Sequence, residues 1–292
     1  MVPVLDGSKV LLRDPCTMAT LTRGVEEHGF LVVENTTIAA ADVLKVIDMY
    51  RAFFKLPDGA KTRVDMARTG ANRGWGRAGS EQVDPDANPD YKEVFDSGFE
   101  LAENDPLGAL AVYAPNLWPQ TPVGFQSVIS EYYRSAMGVA MDILRAIATV
   151  MGKDAAYFDD KFSKPMALLR GNYYPSRPDW AGDMDFGIAE HTDYGCVTLL
   201  ATDGVAGLEA KTRADTWVPV TAKPGSFIIN FGEMLQMWTD GQVRATPHRV
   251  RGTADERISV PLFFNPNYDT NVAPMSSQTP ILAGEHLTRR FQ

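Results

Sequence analysis

From residue 166 onward the chain breaks into short apolar runs separated by turn-forming residues, at 166–169, 197–200, 217–220, 226–229 and 258–264. Runs this short, bounded by Gly, Pro, Asn and Asp, read as strands of a sandwich or barrel. One short helix, at 233–238, interrupts them. The first half is patterned differently. Residues 17–28 read as a helix closed by Gly29, followed by a buried strand at 30–33. Val43, Ile47, Tyr50, Phe53 and Phe54 lie at helical spacing within 39–55, which Pro57 and Gly59 close. The stretch 68–89, rich in Gly, Asn, Asp and Pro, predicts a loop long enough to carry function. Pro122 then opens the longest helix, whose stripe of Val128, Tyr132, Met137, Met141, Leu144 and Ile147 runs to Gly152. The pattern predicts a mainly β protein with flanking helices, of the α+β class. No repeat or linker divides it, so residues 1–292 are expected to form one integrated fold. In it, a mixed helical region of about 1–120 precedes a long helix and strand-rich core over about 121–292.

Within the strand-rich half, His191, Asp193 and His248 form the pattern with the most chemistry. Side chains alternate faces along a strand, so His191 and Asp193 at i and i+2 point the same way and Thr192 points away. His248 has to arrive from a distant strand. Two neutral imidazoles and one carboxylate on one face of an octahedral ion leave three positions open, the arrangement of mononuclear non-haem Fe(II) oxygenases. By itself the triad is compatible with chance, since an H-x-D tripeptide is common and a lone histidine is more often exposed or hydrogen-bonded than a ligand.

Composition removes several other classes. A formal charge of −9 without any basic block argues against a nucleic-acid surface. Cys16 and Cys196 are far apart and not in a CxxC, so neither a disulfide framework nor a thiolate zinc site is indicated. No run approaches the roughly 20 apolar residues of a spanning helix, and the first residues mix charges with apolar side chains unlike a signal peptide. These features predict a cytoplasmic protein with no membrane or nucleic-acid partner, and nothing in them marks an obligate protein partner.

Arg257 and Ser259 form a second i, i+2 pair, on the apolar strand 257–264. A guanidinium among apolar neighbours needs an anion, because an unpaired buried charge is costly. The planar fork of Arg and the hydroxyl of Ser suit one terminal carboxylate of a small diacid. A structural arginine paired with a nearby Asp or Glu is the simpler alternative for Arg257 alone. Joined to the triad, the pair describes a pocket for 2-oxoglutarate. The keto acid would chelate Fe(II) through two open positions, leave the third for O2, and meet Arg257 and Ser259 with its far carboxylate.

Several motifs in order then resemble the isopenicillin N synthase-like family of Fe(II)/2-oxoglutarate-dependent oxygenases. They are L-R-G-N-Y-Y-P at 169–175, H-T-D-Y-G at 191–195, G-L-E at 207–209, G-S-F-I-I-N at 225–230, G-E-M-L-Q-M-W-T-D-G at 232–241, H-R-V at 248–250 and R-I-S at 257–259. In the first half, G-F-L-V-V at 29–33, F-F-K-L-P at 53–57, R-G-W at 73–75 and D-Y-K-E-V-F at 90–95 are similar too, so the likeness spans nearly the whole chain. The resemblance implies a distorted double-stranded β-helix, or jelly roll. It implies iron on His191, Asp193 and His248, and the co-substrate on Arg257, Ser259, Asn172 and Tyr174. It implies oxidation of an unactivated C–H bond of a small-molecule substrate, by hydroxylation, desaturation or ring formation, with release of succinate and CO2. Glu233 replaces the family's usual Asp and Asp240 its Asn, and the segment 176–190 has its own sequence.

Substrate contacts are expected from Phe186 and Trp238 near the barrel mouth, with Arg73, Trp75, Tyr91, Met234 and Phe264 as further candidates; core packing is the competing role for each. Cys196 reads as a small buried hydrophobe, and Asp183 with Asp185 as a solvated loop. Two other functions stay open. One is an oxidase of the isopenicillin N synthase type, in which Arg257 and Ser259 meet a different carboxylate and no 2-oxoglutarate is used. The other is a non-catalytic module that binds a small acid, which would have no need of three metal ligands.

Overall fold

A computed structural model describes residues 2–80, 91–176, 187–252 and 254–290. In chain order its strands and α-helices are β1 (Val4–Asp6), α1 (Gly7–Leu11), α2 (Pro15–Arg23), β2 (Phe30–Glu34), α3 (Ala40–Phe54), α4 (Asp58–Lys61), β3 (Gly74–Gly76), β4 (Glu93–Gly98), α5 (Phe125–Val150), β5 (Leu168–Tyr174), β6 (Ile188–His191), β7 (Val197–Thr202), β8 (Leu208–Lys211), β9 (Trp217–Pro219), β10 (Phe227–Phe231), α6 (Glu233–Trp238), β11 (His248–Val250), β12 (Arg257–Phe264) and α7 (Ala283–Arg290). One sheet has the order β1-β2-β10-β7-β12-β5-β4-β3 and the other β6-β11-β8-β9. No described helix is long and apolar enough to cross a membrane.

Local signals set most element ends. Asp14 accepts from the Thr17 N–H at 2.8 Å and Pro15 occupies the first helical turn, so α2 begins just before the expected residue 17. A π-helical turn over Gly24–His28 continues it to Gly29, whose φ of 65° suits a residue without Cβ. Helix α5 opens at Phe125, after Gly124 with φ of 83°, and not at Pro122. The expected loop 68–89 contains β3, a Gly-Trp-Gly segment with little strand propensity of its own. Pairing with β4 imposes its conformation, through Gly74 with Asp96 and Gly76 with Val94.

Alternation along β12 separates packing from chemistry. Ile258, Val260, Leu262 and Phe264 take one face and join the main apolar cluster under α3 and α5. That layer is aromatic: Phe95 lies 4.9 Å from Phe53 and 5.0 Å from Phe125 between ring centroids. The opposite face carries Arg257 and Ser259, which stand beside Tyr174 and Asn172 of β5. Toward the second sheet, Phe30, Val32, Leu200 and Ile228 meet Leu208, Ala210, Val220 and Val250 in a smaller inner cluster. Two facing sheets closed over an inner chamber are the jelly-roll core that the resemblance implies.

Gly171 lies on the helix-covered face, where an added Cβ would stand 2.3 Å from Cδ1 of the wholly buried Tyr50. Gly171→Ala should therefore cost about 2 kcal/mol by overpacking. Chemical denaturation checks this, and an unchanged midpoint would show that the Tyr50 ring yields.

Candidate metal and co-substrate site

His191 ends β6, His248 begins β11, and the two pair directly across the antiparallel ladder. Each ring is fixed by a hydrogen bond between Nδ1 and a carbonyl two residues earlier, at 2.8 Å to Ala189 and 3.0 Å to Thr246. Nδ1 therefore carries the proton, and Nε2 presents its lone pair. Oδ1 of Asp193 lies 3.8 Å from Nε2 of His191 and 3.7 Å from Nε2 of His248. Its other oxygen is already engaged: Oδ2 accepts from Nδ2 of Asn230 at 2.6 Å and from the Thr198 hydroxyl. One ligand atom from each of the three residues thus converges, all within 4.8 Å of one another. Phe30 packs edge-on against the His248 ring, with centroids 5.5 Å apart.

Strand β6 stops at His191, so Asp193 belongs to a turn, and the i, i+2 alternation alone does not aim it. The turn is gripped by the start of α6. The Glu233 N–H donates to the Asp193 carbonyl at 2.8 Å and the Met234 N–H to that of Gly195 at 3.1 Å. Such close approach requires glycine twice. A Cβ on Gly232 would stand 2.3 Å from the Gly195 oxygen, and one on Gly195 would stand 1.9 Å from Oδ1 of Asn265. Asn265 in turn accepts from the Cys196 N–H at 2.9 Å.

Burial and the neighbouring His248 push the His191 imidazolium down to about 4, against the pull of Asp193. Burial raises the Asp193 carboxyl, but the two histidines, Thr198 and Asn230 outweigh it and hold it below the usual carboxylate value. At neutral pH His191 is neutral and Asp193 ionised, the states a divalent metal requires.

Arg257 pairs with Tyr174 and Ser259 with Asn172, so all four side chains share the inner face. The Arg257 guanidinium is buried over the Tyr174 ring, 5.1 Å from its centroid, and Nε donates to the Val205 carbonyl at 3.2 Å. Its Nη1 is buried and has no partner among the described residues, and the same holds for Oδ1 of Asn172. Nδ2 of Asn172 donates to Oγ of Ser259 at 3.4 Å, which leaves the serine proton free to be donated. A cation held with an unsatisfied N–H beside a free hydroxyl fits a carboxylate.

A family model described as the 2OG-Fe(II) oxygenase superfamily matches residues 165–266, and one described as the non-haem dioxygenase in morphine synthesis N-terminal matches residues 2–121. A 2-oxoglutarate-Fe(II) type oxidoreductase of Aspergillus fumigatus is 30% identical, covering 91% of this chain and 83% of its own. The chain belongs to the 2OG-Fe(II) oxygenase superfamily. A homoarginine-6-hydroxylase of Arabidopsis thaliana is also 30% identical, over 94% of this chain and 87% of its own. A full-length Neurospora crassa protein, solved in complex with alpha-KG, superimposes with a TM-score of 0.87 at 28% identity, over 99% of this chain and 95% of that one. Such oxygenases use Fe(II), 2-oxoglutarate and O2, and the donor sets described above suit both the metal and the keto acid.

The structure gives most of the expected substrate contacts other partners. Trp238 is buried against Phe158, 5.1 Å between centroids, and Met234 is buried in the same main cluster. Phe264 stacks on Phe162 at 4.6 Å, on the opposite face of β12 from Ser259. Trp75 lies under the helices, its indole N–H on Glu93 at 2.7 Å. Arg73 donates to the carbonyls of Asn72, Val112 and Ala114, one from each of its three guanidinium nitrogens, so it holds backbone. Tyr91 is buried just ahead of β4. Phe186, Asp183 and Asp185 lie outside the described residues. Sequence reasoning missed Thr198 and Asn230, which orient Asp193; Asn230 sits in the matched segment 225–230, and its polarity at the end of an apolar run is the signal that marks it.

Asp193→Ala removes the carboxylate while leaving both imidazoles in place, and should abolish stable Fe(II) or Co(II) binding; equilibrium dialysis of the folded variant checks this. The pH dependence has a definite sign. Between about 4 and the ordinary histidine value near 6.5, the unfolded chain binds a proton that folded His191 refuses. Stability of the metal-free protein should therefore fall as pH drops through that window, by roughly 2 kcal/mol at pH 5. His191→Gln should lose this component, as urea titrations at neutral pH and at pH 5 would show.

Proposed function

We propose that His191, Asp193 and His248 hold Fe(II), that Arg257 and Ser259, with Asn172 and Tyr174, hold the far carboxylate of 2-oxoglutarate, and that the protein oxidises a C–H bond of a small organic substrate. The observation that carries this is the unpartnered Nη1 of Arg257, buried on the face shared by Asn172, Ser259 and Tyr174. Leaving a guanidinium N–H unsatisfied costs on the order of 1–3 kcal/mol, and a bound carboxylate removes that cost.

When bound, Fe(II) with 2-oxoglutarate and O2 supplies the oxidation, the keto acid leaving as succinate and CO2. The protein's own residues bind, orient and exclude water. Asn230 and Thr198 keep Oδ2 of Asp193 occupied, so Oδ1 alone faces the histidines. Tyr174 lies beneath the guanidinium and keeps its plane fixed. The apolar inner cluster around Leu200, Ile228 and Val250 excludes water from the co-substrate. On the substrate side, the next inner-face position of β5 past Asn172 is Arg170. Asp96 of β4 grips it through two bonds at 2.8 and 2.7 Å, making a charged wall suited to a substrate with polar groups. The regions of about 1–120 and 121–292 act as one fold, a reading supported by strands of both in the larger sheet. We place the activity in the cytoplasm, where two free cysteines remain reduced.

Anaerobic addition of 2-oxoglutarate to the Fe(II) protein should produce a visible metal-to-ligand charge-transfer band, and oxygen should then yield succinate. Arg257→Gln should raise the 2-oxoglutarate requirement by roughly 100-fold, on the order of the 2–5 kcal/mol lost with one partner of a buried charged contact. Metal uptake with oxygen consumption independent of 2-oxoglutarate would overturn the assignment in favour of an oxidase.

A further inference from the structure

Thr192 stands between the two ligands His191 and Asp193 and turns away from them. Its hydroxyl donates to Oε1 of Glu233, while Oε2 of the same carboxylate receives the guanidinium of Arg290. The Arg290 guanidinium also lies over the ring of Tyr194, 5.5 Å from its centroid. The two side chains that flank Asp193 are therefore both connected to α7, Thr192 through the Glu233–Arg290 ion pair and Tyr194 through its ring contact with Arg290. The Glu233 backbone reinforces the connection, because its N–H holds the Asp193 carbonyl at 2.8 Å.

Helical spacing explains why Arg290 arrives there. Ala283 and Leu287 are buried, and Arg290 follows at i+7 and i+3 from them, on the docked face. Gly284 permits close docking, since a Cβ there would stand 2.1 Å from Cδ2 of Tyr268. The neighbouring Arg289 is exposed and, among the described residues, makes a long contact of 3.9 Å with Glu285. The length of Glu233 is also used: one carboxylate reaches Thr192 with one oxygen and Arg290 with the other.

We propose that Arg290 and Glu233 are positioning residues for the metal, forming a latch by which the docking of α7 fixes the turn that carries Asp193. As a contribution to stability a half-exposed ion pair is worth little, typically under about 1 kcal/mol. Its consequence is geometric, since outer contacts that orient a ligand commonly change metal affinity about 10–100-fold. The latch rests on the metal assignment proposed above, and its test keeps the two separable.

Co(II) serves as the probe, bound to the whole protein without 2-oxoglutarate or substrate. Its visible d–d spectrum and its rate of release to excess chelator are measured for wild type, Arg290→Ala, Glu233→Ala, the double variant and Arg289→Ala, with Asp193→Ala as the non-binding control. Arg290→Ala and Glu233→Ala should each release Co(II) about tenfold faster and alter the d–d band, while the double variant should be no worse than either alone. Arg289→Ala should match wild type. Glu233→Gln, which keeps the length of the side chain but not its charge, replaces Glu233→Ala if that variant does not fold. Wild-type release from Arg290→Ala, or equal acceleration by Arg289→Ala, would overturn the latch. Failure of wild type itself to bind Co(II) would instead overturn the metal assignment.

Discussion

The division of labour within one carboxylate underlies the whole site. Asp193 gives Oδ2 to Asn230 and Thr198 and keeps Oδ1 for the space between two imidazoles. Both donors stand on other elements: Asn230 comes from β10 and Thr198 from β7, neighbours in the larger sheet. The histidines belong to the smaller sheet. A carboxylate held from one sheet and facing imidazoles carried by the other ties the geometry of the candidate metal site to the spacing of the two sheets. The site is therefore complete only when the jelly roll is closed.

The remainder of the chamber follows from antiparallel register. Arg257 beside Tyr174 and Ser259 beside Asn172 set four polar side chains on a face whose reverse, along β12, is apolar. The reverse face is what anchors the strands: Ile258, Val260 and Leu262 are buried against aromatic side chains of α3 and α5, the contribution that dominates stability. Against that background the strands tolerate a buried guanidinium with one nitrogen, Nη1, unsatisfied among the described residues. Burial of the reverse face also prevents slippage, because a shift of one residue would exchange Arg257 for Ile258 on the inner face.

Much of this was legible in the residues. The apolar runs after 166 became β5, β7, β9, β10 and β12, and the stripes of the first half became α2, α3 and α5. The i, i+2 logic held for Arg257 and Ser259 because both lie within a regular strand. The same logic also shows why Phe264 packs outward: it stands an odd number of residues from Ser259, so alternation assigns it to the other face. Trp238 and Trp75 illustrate a different limit. A large aromatic side chain is equally suited to a core and to a binding wall, and only the position of its element relative to the sheets decides between them. Strand β3 was hidden because Gly-Trp-Gly has no intrinsic strand preference and is extended only by its pairing with β4.

The sequence by itself determined which groups are available and which of them share a strand face: two imidazoles, a carboxylate, a guanidinium and a hydroxyl in an alternating frame. It determined the superfamily through the order of its motifs. Tertiary structure decided which atom of each group is free to act. That choice depends on hydrogen bonds between residues distant in the chain, such as Asn230 to Asp193 and Arg257 to the Val205 carbonyl. It also decided that α7 reaches the turn carrying Asp193 through Arg290, Glu233 and Thr192. Alternation and helical period are local properties that a sequence carries in full, whereas the partner of a buried polar atom is fixed only when the sheets close.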